Sequence, residues 1–366
     1  MSQIKVKIPV VKAGSYKISI GKDILGSLWD RIEADFQNKS FFVVTDSNLV
    51  SAGHLEKLLV GRDVPTYIID PPGETSKNID TVVAIVEKME KGCFGRDACL
   101  VALGGGTVGD IAGFAAAIFK RGVQVVQIPT TPVSQADSSV GGKTGVDSSL
   151  SKNAFGAFWQ PATVYIDVAT LATLETRVFC AGLVESIKHA LIADEKYFDF
   201  LDNNIDAICD RQFDVLEKMA QYNCKIKAAV VEADPYEKNQ RRCLNYGHTI
   251  GHAVETASGF DLLHGEAVAI GIIGASLIEI KMGLGDNQRL KKIRDIFAKI
   301  GVPTTISKDL GKETLIGIIK RDKKAINMWP RFVLIDKIGH VYCMEGQWAV
   351  EVPRDMVENV IDQLYE

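Results

Sequence analysis

The sequence predicts two unlike halves: an α/β domain around a largely parallel sheet over residues 1–175, and a mainly helical domain over 176–366. Three observations carry this. Short apolar, β-branched runs alternate with helical patterns as far as about residue 170. Strand signals nearly vanish beyond about residue 176. A chain of 366 residues also exceeds the roughly 250–300 at which a single core stops growing.

Taken in order, IKVKIPV (4–10) and SYKISIG (15–21) read as a hairpin at the sheet edge. The runs FFVVTD (41–46), VPTYIID (64–70), ACLVALGGG (98–106), VQVVQIPTT (123–131) and ATVYID (162–167) follow as strands, with helical stretches between them, so they build βαβ units. In one of those stretches Ile79, Val82, Val83, Val86 and Met89 form a single apolar helical stripe. Helical periodicity then fills 182–195, 212–233, 244–258, 264–284 and 287–300, and a late hairpin, RFVLIDKIGHVYC, turns at 337–339.

Composition narrows the function classes. With 46% hydrophobic and 24% charged residues and a net charge of −4, nothing advertises a nucleic-acid or anionic-membrane surface. No segment has the roughly 18 uninterrupted apolar residues of a spanning helix, and the first 21 residues lack a signal-peptide core, so a cytoplasmic protein is expected. Seven scattered cysteines without a CxxC pair predict buried free thiols rather than a disulfide framework or a thiolate zinc site.

Two segments suggest chemistry. Gly104-Gly105-Gly106-Thr107-Val108-Gly109-Asp110 follows a strand and opens a helix, the setting in which glycines admit a phosphate to unpaired helix N–H groups. The acid that usually holds the ribose about 20 residues further on is missing, since no Asp or Glu lies between Asp110 and Asp137. The segment is thus a plain turn, or a dinucleotide loop whose ribose contacts come from elsewhere, with Asp46 and Glu74 as candidates. Lys143 and Lys152 sit in Gly- and Ser-rich loops that suit a phosphorylated ligand, against the ordinary alternative of two solvated lysines. The second segment holds His248 and His252 one turn apart on a helix, with His264 starting the next. Such imidazoles can meet at one divalent ion, although spacing selects no carboxylate to complete the set. Gly247 and Gly251, read as helix-interior glycines, suggest that a backbone or a ligand approaches there.

Taken together, PPGExxK (71–77), GGGTVGDIAGFAAA (104–117), KRG (120–122), PTT (129–131), QADSSVGGKTGV (135–146), SKNAFGAFWQP (151–161), AGLVESIK (181–188), LNYGHTIGHAVE (244–255), HGEAVAIG (264–271) and DKK (322–324) closely resemble the 3-dehydroquinate synthases, a family of sugar-phosphate cyclases. The resemblance implies an NAD-binding α/β domain, a helical metal-binding domain and a homodimer. It implies that Glu185, His248 and His264 hold a divalent ion, normally zinc with cobalt as the alternative, and leaves His252 for substrate. For NAD it points to Asp46, Asn48, Glu74, Lys77, Gly105, Gly106, Asp110, Thr130, Thr131, Lys143, Lys152 and Thr173. For a sugar phosphate it implies phosphate contacts from Lys143, Asn153, Asn245, His252 and Lys324, with Arg121 reaching in from a second subunit. Lys227 and Arg241 match positions that face a carboxylate, Asp137 one near hydroxyls, and Lys188 lies on the same helical face as Glu185. The implied reaction turns 3-deoxy-D-arabino-heptulosonate 7-phosphate into 3-dehydroquinate and phosphate by transient oxidation, elimination and ring closure, within aromatic amino-acid biosynthesis by the shikimate route. Pro132, Ser151, Pro235 and Asn239-Gln240 depart from the usual pattern. Two other readings stand beside this one: a sister cyclase acting on an aminated or carboxylate-free heptulose phosphate, and a metal-dependent polyol dehydrogenase.

Overall fold

The computed structural model describes residues 14–259, 261–320 and 329–365. Lys324 and the first half of the expected N-terminal hairpin lie outside the described residues. The chain opens with β1 (Lys17–Gly21), α1 (Leu25–Asp35), β2 (Ser40–Asp46), α2 (Ser47–Ser51), α3 (His54–Leu59), β3 (Thr66–Ile69), α4 (Ile79–Lys91), β4 (Ala98–Gly104), α5 (Gly106–Ile118) and β5 (Gln124–Pro129). A two-stranded ribbon, β6 (Lys143–Val146) and β7 (Phe155–Phe158), precedes β8 (Thr163–Asp167). Helices then dominate: α6 (Thr176–Ala193), α7 (Glu195–Asn203), α8 (Ile205–Cys209), α9 (Phe213–Ala233), α10 (His248–Ala257), α11 (His264–Lys281), α12 (Asn287–Lys299), α13 (Lys312–Lys320) and, after the late hairpin β9 (Ile335–Lys337) and β10 (His340–Val341), α14 (Arg354–Leu364).

Six strands form one parallel sheet in the order β1-β8-β5-β4-β2-β3. Its period-two alternation separates two cores. On β4, Leu100 and Ala102 face Val82, Ile85, Met89 and Ile111 of α4 and α5, whereas Cys99, Val101 and Leu103 face Leu25, Leu28, Trp29 and Ile32 of α1. Helices on both faces explain why these strands read as continuous apolar runs. On β8, Val164 and Ile166 instead join the core of the helical half. The large sheet and the helical layer are therefore packed directly against each other.

β1, the described half of the expected hairpin, pairs in parallel with β8. Two local expectations need correction. On α4 the buried set is Val82, Ile85 and Met89, while Val83 is exposed, because the sheet contacts a narrower stripe than the five apolar residues suggest. Of the cysteines, Cys99, Cys224 and Cys243 are buried, but Cys93 and Cys343 are exposed.

Glycines set the geometry of the helical half. Gly247 is not inside a helix: it lies at φ +78°, a left-handed conformation open to glycine, and caps α10 so that the helix begins at His248. Gly251 does lie within α10, where a Cβ would sit 3.0 Å from the Ala267 carbonyl oxygen of α11. A Cβ on Gly271 of α11 would come within 1.9 Å of the Gly247 carbonyl oxygen, and one on Gly265 within 1.8 Å of that of Ala181 on α6. At Gly251, Gly265 and Gly271 the approaching group is backbone. Interior glycines cost about 1 kcal/mol each against alanine; here they let α6, α10 and α11 touch main chain to main chain.

Candidate active site

In an open parallel sheet ligands bind beyond the carboxyl ends of the strands, where strand order reverses. Here the reversal falls between β2 and β4. Asp46 ends β2, Gly104 ends β4, and Thr130 and Thr131 follow β5. Asp46 is buried and accepts from the Leu49 N–H at 3.0 Å; burial pushes its carboxyl up despite the N–H groups of Leu49 and Asn48. Gly105 caps α5 without a side-chain partner, which leaves first-turn N–H groups of that helix available to an anion. The Glu74 carboxylate accepts from Thr107 Oγ1 at 3.2 Å, and Lys77 Nζ pairs with Asp110 at 2.7 Å. Burial works against the Lys77 charge, but Asp110 and Glu74 outweigh it and hold its pKa above the ordinary lysine value. Asn48 is exposed in the first turn of α2, and Thr173 bonds to His54 at 2.8 Å.

The imidazoles meet a carboxylate. Glu185 on α6 is buried, and its Oε1 has no hydrogen-bond partner among the described residues. That oxygen lies 3.6 Å from His248 Nε2 and 3.6 Å from His264 Nε2. Donors bound tetrahedrally at about 2.1 Å from one ion would stand roughly 3.4 Å apart, so both Glu185–imidazole separations suit a shared divalent metal. His248 Nδ1 is engaged by the Tyr246 carbonyl at 3.0 Å, which leaves Nε2 for the ion, and burial followed by Lys188 drives this ring well below its ordinary pKa, toward the neutral form that ligates. Ring atoms of His252 also lie within 4.8 Å of donor atoms of His248 and His264. The three imidazoles thus form one group of mutually close donors, and Asp137, Glu185 and His189 form a second.

Around these donors lies a cluster of buried charged side chains. Lys188 is almost fully buried, with Nζ 2.5 Å from Glu185 Oε2; burial opposes its charge, but Glu185 and Asp137 prevail and raise its pKa. Lys227 donates to Asp137 at 2.5 Å. Burial favours a protonated Asp137, yet Lys227 and Lys188 outweigh it and hold this carboxyl well below the usual range. Lys227 is itself lowered, first by burial and then by the nearby Arg241 and Lys188 charges. Arg241 is 1% exposed: Nη1 donates to the carbonyls of Pro235 at 2.7 Å and Gly141 at 3.0 Å, while buried Nε and Nη2 have no hydrogen-bond partner among the described residues. One edge of the guanidinium is thus fixed and the other is left unpaired among those residues.

Lys143 forms an ion pair with Glu237, which also accepts from Asn245 Nδ2 at 3.0 Å. Asn153, at φ +51°, donates its backbone N–H to Asp147 at 2.6 Å. Arg121 is exposed on the turn after α5, and no contact of its side chain with this cluster is seen among the described residues. Sequence reasoning assigned nothing to Glu237, Glu255 or His189. Of these, His189 lies four residues after Glu185, and Glu255 three after His252, each on the same helical face as the earlier residue, a local signal that Glu237 lacks. Its Nδ1 lies 3.1 Å from Asn223 Oδ1 and its buried Nε2 faces Asp137 at 3.6 Å.

Comparison with known proteins adds an independent finding. The family profile described as 3-dehydroquinate synthase N-terminal matches residues 67–181, and that described as 3-dehydroquinate synthase C-terminal matches residues 182–325. A curated 3-dehydroquinate synthase of Ruminiclostridium cellulolyticum is 43% identical over 336 residues, 91% of this chain and 93% of its own. Among solved structures, ValA, a 2-epi-5-epi-valiolone synthase of Streptomyces hygroscopicus with NAD+ and Zn2+ bound, is similar at TM-score 0.86 and 26% identity, over 98% of this chain and 99% of that one. A 2-deoxy-scyllo-inosose synthase complexed with carbaglucose-6-phosphate, NAD+ and Co2+ is similar at TM-score 0.84 and 26% identity, over 94% and 96%.

Proposed function

Because the chain belongs to the 3-dehydroquinate synthase family, we propose that it converts 3-deoxy-D-arabino-heptulosonate 7-phosphate into 3-dehydroquinate and phosphate. The observation that carries this reading is the open, buried edge of Arg241 beside the Lys227–Asp137 pair. A desolvated guanidinium fork suits a planar carboxylate, which a polyol lacks.

Glu185, His248 and His264 would hold the divalent ion, zinc with cobalt as the alternative, and the crevice formed by Asp46, Asn48, Glu74, Lys77, Gly105, Gly106, Asp110, Thr130, Thr131, Lys143, Lys152 and Thr173 would hold NAD. When bound, the ion lowers the pKa of a coordinated hydroxyl and NAD takes up and returns one hydride, so no net oxidation results. The chain's own groups bind and orient. Arg241 and Lys227 hold the carboxylate, and Asp137, kept ionised by Lys227 and Lys188, accepts hydrogen bonds from ring hydroxyls. Lys143, Asn153, Asn245 and His252 would contact the phosphate, and the family resemblance adds Lys324 and Arg121 of a second subunit. The phosphate can itself accept the proton lost in elimination, so these cations chiefly fix its position and neutralise it as it departs. The same reading carries a homodimer and a cytoplasmic location; no described helix is long and apolar enough to cross a membrane.

The test is one incubation with the heptulosonate phosphate and catalytic NAD, following released phosphate and NADH absorbance together, then repeated over a panel of sugar phosphates. Phosphate release without NADH accumulation is expected. Stoichiometric NADH would replace this reading with a dehydrogenase, and preference for a carboxylate-free heptulose phosphate would replace it with a sister cyclase.

A further inference from the structure

The metal donors and the dinucleotide crevice lie on different halves of the chain, and one side chain touches both groups. Glu255 follows His248 and His252 at i+7 and i+3, on the same face of α10. Its side chain is 7% exposed and lies in the last turn of the helix, where the macrodipole disfavours a negative charge. No packing argument requires a carboxylate at such a place.

Its two oxygens divide their work. Oε2 lies 3.3 Å from His264 Nδ1, while the other nitrogen of that ring, Nε2, faces Glu185. Oε1 accepts from Lys152 Nζ at 2.9 Å, and Lys152 belongs to the loop between β6 and β7. The same ammonium lies 3.5 Å from Glu74 Oε1, and Glu74 Oε2 accepts from Thr107 in the first turn of α5. The polar run His264–Glu255–Lys152–Glu74–Thr107 thus leads from the imidazole cluster to the glycine loop.

We propose that Glu255 is a positioning residue shared by the two ligand sites: it orients His264 by accepting from Nδ1–H, so that Nε2 is presented to the metal, and it tethers Lys152 beside the dinucleotide crevice. The inference rests on the metal-and-NAD reading above. A carboxylate behind a ligating imidazole fixes its tautomer and orientation. His264 needs such a partner, since its side chain is 36% exposed and nothing else described bonds to Nδ1.

The test uses the full-length protein loaded with Co2+, whose visible ligand-field absorption reports the bound ion. Competition with a chelator gives metal affinity; calorimetric titration of the chelated protein gives NAD affinity apart from the metal. Glu255→Ala is expected to weaken Co2+ binding by about 10–100-fold and NAD binding by about fivefold. Glu255→Gln keeps the volume and one acceptor oxygen but lacks the charge. It should recover part of the metal affinity and none of the NAD affinity, and because it is isosteric it serves if the alanine variant melts early. Lys152→Met should weaken NAD binding and leave Co2+ binding as in the wild type. Wild-type affinity for either ligand in Glu255→Ala, or full recovery of both in Glu255→Gln, would overturn the proposal. If the wild-type protein takes up neither one equivalent of Co2+ nor NAD, the underlying reading of the site falls first, and the two failures are told apart by that control.

Discussion

Arg241→Ala probes the substrate reading most sharply, because the structure divides the work of that side chain. Nη1 is committed to two backbone carbonyls, and Lys227 is already engaged by Asp137, so neither can replace the open Nε–Nη2 edge. Removing one partner of a desolvated charge pair costs roughly 2–5 kcal/mol. At about 1.4 kcal/mol per tenfold, kcat/KM for the heptulosonate phosphate should fall at least about thirtyfold. A carboxylate-free heptulose phosphate leaves no charge unpaired, so its turnover should change little. Arg241→Lys, which keeps the charge but loses the fork, should fall between wild type and alanine on the first substrate only. Phosphate release measured for both substrates with all three proteins decides the matter. Equal losses on the two would refute the carboxylate role and assign Arg241 to the Gly141–Pro235 loop contacts instead.

Other outcomes follow from the same geometry. The purified protein should carry one divalent ion per subunit, and His264→Ala should abolish turnover while leaving NAD binding nearly intact; elemental analysis beside a dinucleotide titration would show it, and an active metal-free protein would contradict it. Gly271→Ala forces a Cβ to within 1.9 Å of the Gly247 carbonyl oxygen, so denaturant unfolding should report a loss of at least about 2 kcal/mol, and a neutral result would mean that α10 and α11 separate easily. A disulfide reagent at mildly alkaline pH should modify Cys93 and Cys343 first. Cys99 and Cys224, with thiols pushed up to about 12 by burial, and Cys243, raised to about 11 by the same cause, should stay silent until the protein unfolds.

How much of this was legible depended on whether the signal was local. The central strands were, because a sheet covered on both faces demands uninterrupted β-branched runs such as FFVV and ACLVAL. The buried stripe of α4 was not, since Val82 and Val83 are equally apolar and only the sheet decides which one faces it. Gly247 and Gly251 share the spacing of two interior glycines, yet one is a left-handed cap and the other a packing contact, a difference that lies in φ and in the neighbouring helix. The imidazoles announced themselves by their spacing. Glu185 did not, because it lies on a helix far earlier in the chain, and only family resemblance pointed to it. Glu237 looks like any surface acid until Lys143 is brought against it, and Glu255, although on the helical face of His248 and His252, shows its role only once Lys152 meets it.

The pairing of β1 with β8 has a consequence for how the chain is made. Thr163 Oγ1 bonds to the Lys17 carbonyl across 146 residues, and the Asp167 carboxylate receives the N–H groups of Asp23 and Leu25 at 2.7 and 2.9 Å. A ribosome adding roughly 5–20 residues per second needs on the order of 10–30 s to deliver β8 after β1 has emerged. Throughout that interval β1 lacks its parallel partner β8, and from the emergence of β5 onward that strand shows an unpaired, apolar edge, the template on which nascent chains aggregate. Synthesis speed across residues 130–163, rather than the stability of the finished fold, sets how long that edge stays open, and slowing translation there should lower the soluble yield.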